Sequence, residues 1–400
     1  MDQVLHRGGA TDLNFAPSAD QEALREGIER LCEGFGDDYW RERDATGTFP
    51  HEFHRACADG GWLGMCIPEA HGGSGLGIVE ATIMMRTIAQ SGAGMSGASA
   101  IHMNVFGLQP VVVFADEAQK ARMLPPVVDG THKCCFAVTE PNTGLNTTQL
   151  KTFAKREGEH YRVNGQKVWI STAQVADKIM LLARTTPLEE CTKPTHGLSL
   201  FFTDLDRDTV SVQAIDKMGR AAVDSNELFI ADFMIPVEDR IGEEGRGFEY
   251  ILHGMNPERV LIAAEAVGIG YAALERATAY AREREVFGRP IGKNQAIQHP
   301  LAKNWMELEA AWAITLKAAW QYDQGMNCGP LANAAKYLAA EAGFSACENA
   351  VMTHGGFGYA KEYHVERLMR EVMIPRIAPV SPQLIASYIA ERVLGLPKSY

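Results

Sequence analysis

The hydrophobic period of this chain changes twice, and that double switch limits its fold more than any other feature. Up to about residue 133, apolar side chains recur at helical spacing. Leu24, Ile28 and Leu31 follow a Ser18/Gln21 capping-box pair, and residues 78–89 and 109–123 read the same way. From about 134 to 237, alternating and β-branched runs take over, among them Lys178–Arg184, Leu198–Asp204 and residues 228–234. Inside residues 160–170 an Asn164-Gly165 pair predicts a tight hairpin turn between two strands. The helical period then returns over 248–283, 294–321, 330–353 and 381–394, in segments rich in Ala, Leu and Glu. Blocks segregated in this way predict an α+β multidomain chain and argue against a doubly wound α/β sheet. The expected units are an N-terminal helical domain (1–133), a middle antiparallel, β-barrel-like domain (134–245) and a C-terminal helical bundle (246–400).

Composition narrows the function classes. Hydrophobic residues make up 46% of the 400 residues and charged residues 22%, enough for a sizeable core. The formal net charge of −12 excludes a general nucleic-acid binder, which needs a basic face, but leaves room for a small basic pocket. The eight cysteines are scattered with no C-x-x-C pair, so packed, reduced thiols are expected, not a metal site or a disulfide framework. Residues 1–15 are polar and lack the apolar core of a signal segment. No run of 18 apolar residues occurs, so no membrane span is expected and the default location is the cytoplasm. Gly268-Ile269-Gly270-Tyr271-Ala272-Ala273 matches a loose dinucleotide pattern, but its glycines lie well inside a helical run. Close helix packing is the reading that fits.

Four ordered segments carry more information. They are Phe136-Ala137-Val138-Thr139-Glu140-Pro141-Asn142-Thr143-Gly144; Lys167-Val168-Trp169-Ile170-Ser171-Thr172; Arg284-Glu285-Val286-Phe287-Gly288-Arg289-Pro290-Ile291 with Asn294-Gln295; and Gly355-Gly356-Phe357-Gly358-Tyr359. Any one alone is weak, since a strand entering a Pro/Gly turn is common. In this order and at this spacing they resemble the acyl-CoA dehydrogenase family, from His71-Gly72-Gly73 to the last helix. The resemblance implies a C-terminal four-helix domain, one FAD per subunit near a subunit interface, and a homotetramer (or dimer). It also implies site roles. Phe136, Val138 and Thr139 line the flavin ring, and Trp169 and Ser171 flank it. Arg284 and Phe287 meet the pyrophosphate and adenine of a neighbouring subunit's FAD, with Asn294 and Gln295 beside them. Gly355 and Gly356 let backbone approach FAD, Met352 stands where a glutamine is usual, and Ser381 and Gln383 reach the cofactor from the last loop.

The implied reaction takes a proton from the α carbon of an acyl-CoA thioester while hydride passes from the β carbon to flavin N5, giving the trans-2-enoyl-CoA. Most of the family supplies the base as a Glu before the last helix. Here the loop Ile377-Ala378-Pro379-Val380-Ser381-Pro382-Gln383 has no carboxylate, and Pro379 holds the usual position. A minority, including isovaleryl-CoA and long-chain acyl-CoA dehydrogenases, supplies it from a helix. On that pattern Glu258 in Gly254-Met255-Asn256-Pro257-Glu258-Arg259 is the base and Arg259 a substrate-site arginine. A solvated Glu258/Arg259 pair is the bland alternative. Pro379 has no N–H, so a backbone donor that the family gives to the thioester oxygen is missing. Leu145 replaces a serine that serves CoA contacts. Electron-transfer flavoprotein is the implied oxidant; no nucleic acid or membrane partner is expected. Two alternatives stand: another flavin enzyme on this fold (monooxygenase, nitroalkane oxidase or desulfinase), and a non-catalytic binding or scaffold member. Glu258 favours proton abstraction, and the acidic composition opposes nucleic-acid binding.

Overall fold

The computed structural model describes residues 16–399, so the reading of residues 1–15 lies outside the described residues. Eight helices come first: α1 (Ala19–Glu33), α2 (Asp37–Thr46), α3 (His51–Asp59), α4 (Ile78–Ile88), α5 (Gly94–Phe106), α6 (Gln109–Phe114), α7 (Glu117–Met123) and α8 (Pro125–Val128). The capping box forms as expected, with the Ser18 hydroxyl accepting from the Gln21 N–H at 3.1 Å. The helix expected over 109–123 is two helices, because Asp116 leaves helical geometry to cap α7.

The span Ile78–Phe114 is long and apolar enough to cross a membrane by length and composition, although Ser, Thr, Asn and Gln interrupt its apolar runs. Within the fold 72% of the most apolar 18-residue stretch of that span is buried, because α4 and α5 are the packed centre of the helical block.

Next comes one eight-stranded sheet of β1 (Cys134–Ala137), β2 (Phe153–Glu157), β3 (His160–Ser171), β4 (Lys178–Arg184), β5 (Leu198–Asp204), β6 (Val210–Ala214), β7 (Ser225–Pro236) and β8 (Arg240–Ile241). The path runs β6-β7-β3-β2-β4-β5-β8, with β1 off it on β4. Most pairs are antiparallel, as expected, but β1 lies parallel to β4 and β2 meets β4 parallel at one pair, so the sheet is mixed.

The Asn164-Gly165 turn does not exist. β3 runs straight through it, and the hairpin turn sits earlier at Gly158-Glu159, between the paired residues Glu157 and His160. Gly165 instead marks a register shift against β7, where a Cβ would stand 2.4 Å from Thr152 Oγ1 and 2.7 Å from its Cα. Asn164 bonds across the sheet to Asp232, accepting its N–H at 2.9 Å.

The chain closes with α9 (Gly247–Glu283), a two-stranded ribbon β9 (Glu285–Val286) and β10 (Arg289–Pro290), α10 (Gln295–Asp323), α11 (Gly329–His354), α12 (Val365–Glu371), α13 (Met373–Ile377) and α14 (Pro382–Arg392). Helices α9 and α11 run side by side in the same direction. Lys336 lies near Glu258 at one end, and His354 stacks on Tyr280 at 4.3 Å near the other. The glycines of the false dinucleotide motif sit where helices touch. A Cβ on Gly268 would be 2.4 Å from the Arg86 carbonyl oxygen, and one on Gly270 3.1 Å from Gly343 Cα.

One hydrophobic core spans both helical blocks and one face of the sheet, and a second fills the other face, around Tyr161, Ile179 and Phe233. Among the described residues all cysteines are free, and no His/Cys/Asp/Glu group has metal-binding composition.

Candidate active site

Helix α5 presses its C-terminal turns on the start of α9. Gly254 makes this possible, since a Cβ there would be 2.8 Å from the Phe106 carbonyl oxygen. Phe106 meets Phe136 of β1 edge-on at 5.1 Å, so helix, helix and strand converge at one point. Glu258 lies one turn beyond Gly254 on the same face of α9. The residue as a whole keeps some exposure, but its Oε2 is enclosed and finds no hydrogen-bond partner among the described residues. The enclosed oxygen governs the cost of charge. Burial pushes the carboxyl up from the usual 4.5 to about 7, against the opposing pull of His102, Arg259 and Lys336 and with the push of Glu265.

Arg259 does not pair with Glu258. Its Nη1 donates to the Met255 carbonyl at 3.1 Å and to Asn256 Oδ1 at 3.0 Å, and burial holds the guanidinium below its ordinary range. Lys336 of α11 donates to the Val380 carbonyl at 2.6 Å, which ties the surroundings of Glu258 to the loop holding Pro379. Burial brings that ammonium down to about 8. The Ala378–Pro379 bond is cis.

The Thr-Glu-Pro turn is held by a buried ion pair. Lys167 Nζ donates to Glu140 Oε1 at 3.0 Å and to the Val138 and Leu182 carbonyls at 3.0 and 2.8 Å. Glu140 also accepts the Lys151 and Thr152 N–H groups, at 2.7 and 2.9 Å. Burial and Lys167's charge act oppositely on Glu140 and leave its carboxyl below the usual range; burial also brings the Lys167 ammonium down to about 8, so the pair is ionised at neutral pH and below. The Thr139 carbonyl accepts the Val168 N–H at 2.9 Å, which fixes β1's exit against β3. Thr143 Oγ1 is buried without a partner among the described residues, and Leu145, two residues on, is exposed. Trp169 stands at an irregularity of β3 with φ +61° and 59% exposure, an apolar ring open to solvent over much of its surface. Ser171 Oγ accepts from Arg220 Nη2 at 2.9 Å. Ser381 caps α14 by accepting the Leu384 N–H at 3.2 Å, and Gln383 is exposed.

The remaining candidates gather elsewhere. Arg284, Phe287, Asn294 and Gln295 follow the far end of α9, and Arg284 lies 5.9 Å from the Phe357 ring centre. Gly355 and Gly356 sit next to that ring in sequence, with open space where their Cβ atoms would go, and Met352 is exposed on the last turn of α11. Phe287 is wholly exposed at the tip of the β9/β10 ribbon. Glu258 and Arg284 are separated along α9 by about 39 Å at 1.5 Å per residue. One chain therefore does not bring the two groups together.

Three site residues escaped sequence reading. His102 of α5 is bonded through Nδ1 to Glu265 Oε1 of α9 at 2.5 Å, and Arg220 is buried against Ser99, Ser171 and Ser225. A charged residue inside the apolar run 260–269 was the available signal for Glu265. Nothing in local spacing marked the other two.

The comparisons agree with this architecture. Models of the acyl-CoA dehydrogenase N-terminal, middle and C-terminal domains match residues 18–131, 135–233 and 245–394. The chain is 34% identical to acyl-CoA dehydrogenase FadE12 of Mycobacterium tuberculosis over 98% of its own length and 100% of the relative. It is 33% identical to subunit CarC of the caffeyl-CoA reductase-Etf complex of Acetobacterium woodii, over 83% and 87% of the two chains. Butyryl-CoA dehydrogenase from Megasphaera elsdenii superposes with a TM-score of 0.90 at 29% identity, covering 96% of this chain and all of that one. The chain therefore belongs to the acyl-CoA dehydrogenase family, as a flavoprotein oxidoreductase whose cofactor is FAD.

Proposed function

We propose that this acyl-CoA dehydrogenase converts an acyl-CoA thioester to the trans-2-enoyl-CoA with Glu258 as the base that takes the α proton. The observation that carries the reading is the enclosed, unpartnered Oε2 of Glu258 on a carboxyl pushed up to about 7. A carboxyl of that strength is ionised in part at neutral pH and holds a proton better than an ordinary glutamate. Arg259, bonded to its own helix, keeps its positive charge beside the base without quenching it by a direct bond.

The residues fit FAD. Trp169 offers an exposed ring, Thr143 a buried hydroxyl with no partner among the described residues, and Gly355 and Gly356 open backbone next in sequence to Phe357, whose ring lies near the guanidinium of Arg284. On this reading Phe136, Val138, Thr139, Trp169, Ser171, Ser381 and Gln383 hold the ring end within one subunit. Arg284, Phe287, Asn294, Gln295, Met352, Gly355 and Gly356 hold the phosphate and adenine end of a neighbour's cofactor, a reading that the separation of about 39 Å along α9 supports. When bound, FAD supplies the acceptor for the hydride that leaves the β carbon. Leu145 and Arg259 contribute to the thioester site.

The same reading makes the protein a cytoplasmic homotetramer or dimer with domains 1–133, 134–245 and 246–400. Its oxidant is electron-transfer flavoprotein, the protein with which the CarC relative forms its complex. Anaerobic mixing with a panel of acyl-CoA thioesters tests it: bleaching of the flavin by a thioester, lost in Glu258→Gln with FAD retained, is the expected result. Full turnover in that variant would remove Glu258 from the mechanism, and a flavin that no thioester bleaches would favour a monooxygenase or a non-catalytic member.

A further inference from the structure

Every residue of α5 is buried, so the polar side chains it carries must be satisfied from other elements. His102 is satisfied through Nδ1 by Glu265, which is fully buried in the apolar run of α9. Glu265 leaves its second oxygen, Oε2, enclosed and without a partner among the described residues, as Glu258 does. The placement of these groups follows from the packing. Gly254, Glu258 and Glu265 are four and seven residues apart and share a face of α9. His102 and Phe106, four apart, share a face of α5. Phe106 touches α9 at Gly254 and His102 touches it at Glu265, so Glu258 lies on the stretch bracketed by the two contacts.

We propose that His102, fixed by Glu265, is a positioning residue that keeps the base Glu258 ionised in its dry site. The proposal rests on Glu258 being the base. A carboxylate enclosed on one oxygen needs a nearby positive charge, or it takes up a proton and ceases to be a base. The bond at Nδ1 fixes the ring orientation and holds a proton on that nitrogen. Around Glu258 the charged groups are His102 from α5, Arg259 and Glu265 from α9 itself, and Lys336 from α11. Around His102 they are Glu265, Glu258 and Arg220. Of the three cations facing Glu258, Arg259 is engaged with Met255 and Asn256 and Lys336 with Val380, leaving His102 as the one whose bonded partner is an acid. Burial opposes the imidazolium, but Glu265 and then Glu258 outweigh it and hold His102 above its usual range.

The test is a difference infrared titration of the protonated Glu258 carboxyl in the FAD-loaded enzyme, its band assigned by its loss in Glu258→Gln. In His102→Asn the midpoint should move alkaline by roughly one pH unit or more. The acid limb of flavin reduction should move with it. A merely structural role would lower the rate at all pH values and leave the band in place; that result, or an unmoved midpoint, overturns the proposal. Should His102→Asn lose FAD, the reciprocal measurement decides. In Glu258→Gln the His102 imidazole, followed by ¹⁵N resonance, should titrate at lower pH than in the parent, because linkage is mutual. An unchanged imidazole midpoint overturns the coupling. Normal turnover in Glu258→Gln would instead overturn the base itself, so the two failures are distinct.

Discussion

Glutamine at position 258 should slow the enzyme and stabilise it, and the second effect is the sharper test of the physical reasoning. A carboxyl whose proton affinity rises on folding binds more protons folded than unfolded between the two midpoints, so its contribution to stability falls as pH rises through that window. For Glu258 the window runs from 4.5 to about 7. At 1.36 kcal/mol per pH unit the ionised residue costs about 3 kcal/mol above pH 7 and almost nothing below 4.5. The attraction of His102 is already contained in that midpoint, so Glu258→Gln should gain up to about 3 kcal/mol at pH 8. The assay is urea unfolding of FAD-loaded parent and variant at pH 5 and pH 8, alongside turnover. The expected outcome is a variant more stable at pH 8, a gap that closes towards pH 5, and turnover lower by about 10²- to 10⁴-fold. A variant no more stable than the parent at pH 8, or one with the same gain at both pH values, would refute a desolvated carboxylate at this position.

Three other outcomes follow from single contacts. Lys167→Met leaves Glu140 charged, buried and without its ion-pair partner, so it should cost about 3–5 kcal/mol in denaturant unfolding and release FAD by loosening the turn at Val138 and Thr139. Arg284→Ala touches an exposed side chain and should leave apoprotein stability within about 0.5 kcal/mol. It should nevertheless weaken FAD retention about tenfold or more, read by flavin fluorescence on dilution. Gly165→Ala forces a Cβ onto Thr152 at the irregularity of β3 and should lower stability by about 1–3 kcal/mol in denaturant unfolding.

Residue type and local spacing were enough to set the blocks of helix and strand, because those signals lie within one or two turns or strands; the weight given to the four motif segments and the choice of Glu258 came from resemblance to the family. The Asn164-Gly165 pair misled for the same reason. Its local preference is for a turn, but the ladder from Phe153 to Asn164 on one side and the pairing with β7 on the other keep the strand extended, and glycine serves as room for Thr152. The ion pair of Lys167 and Glu140, the seating of Arg220 among three serines and the bond between His102 and Glu265 were not legible. Their partners lie 27, up to 121 and 163 residues apart in sequence. Which polar side chains share a dry space depends on how α5, α9 and the sheet close on one another, and no local periodicity encodes that closure. The sequence thus determined that a carboxylate would stand near the start of α9; only the tertiary packing decided that it would be enclosed there, facing a buried histidine.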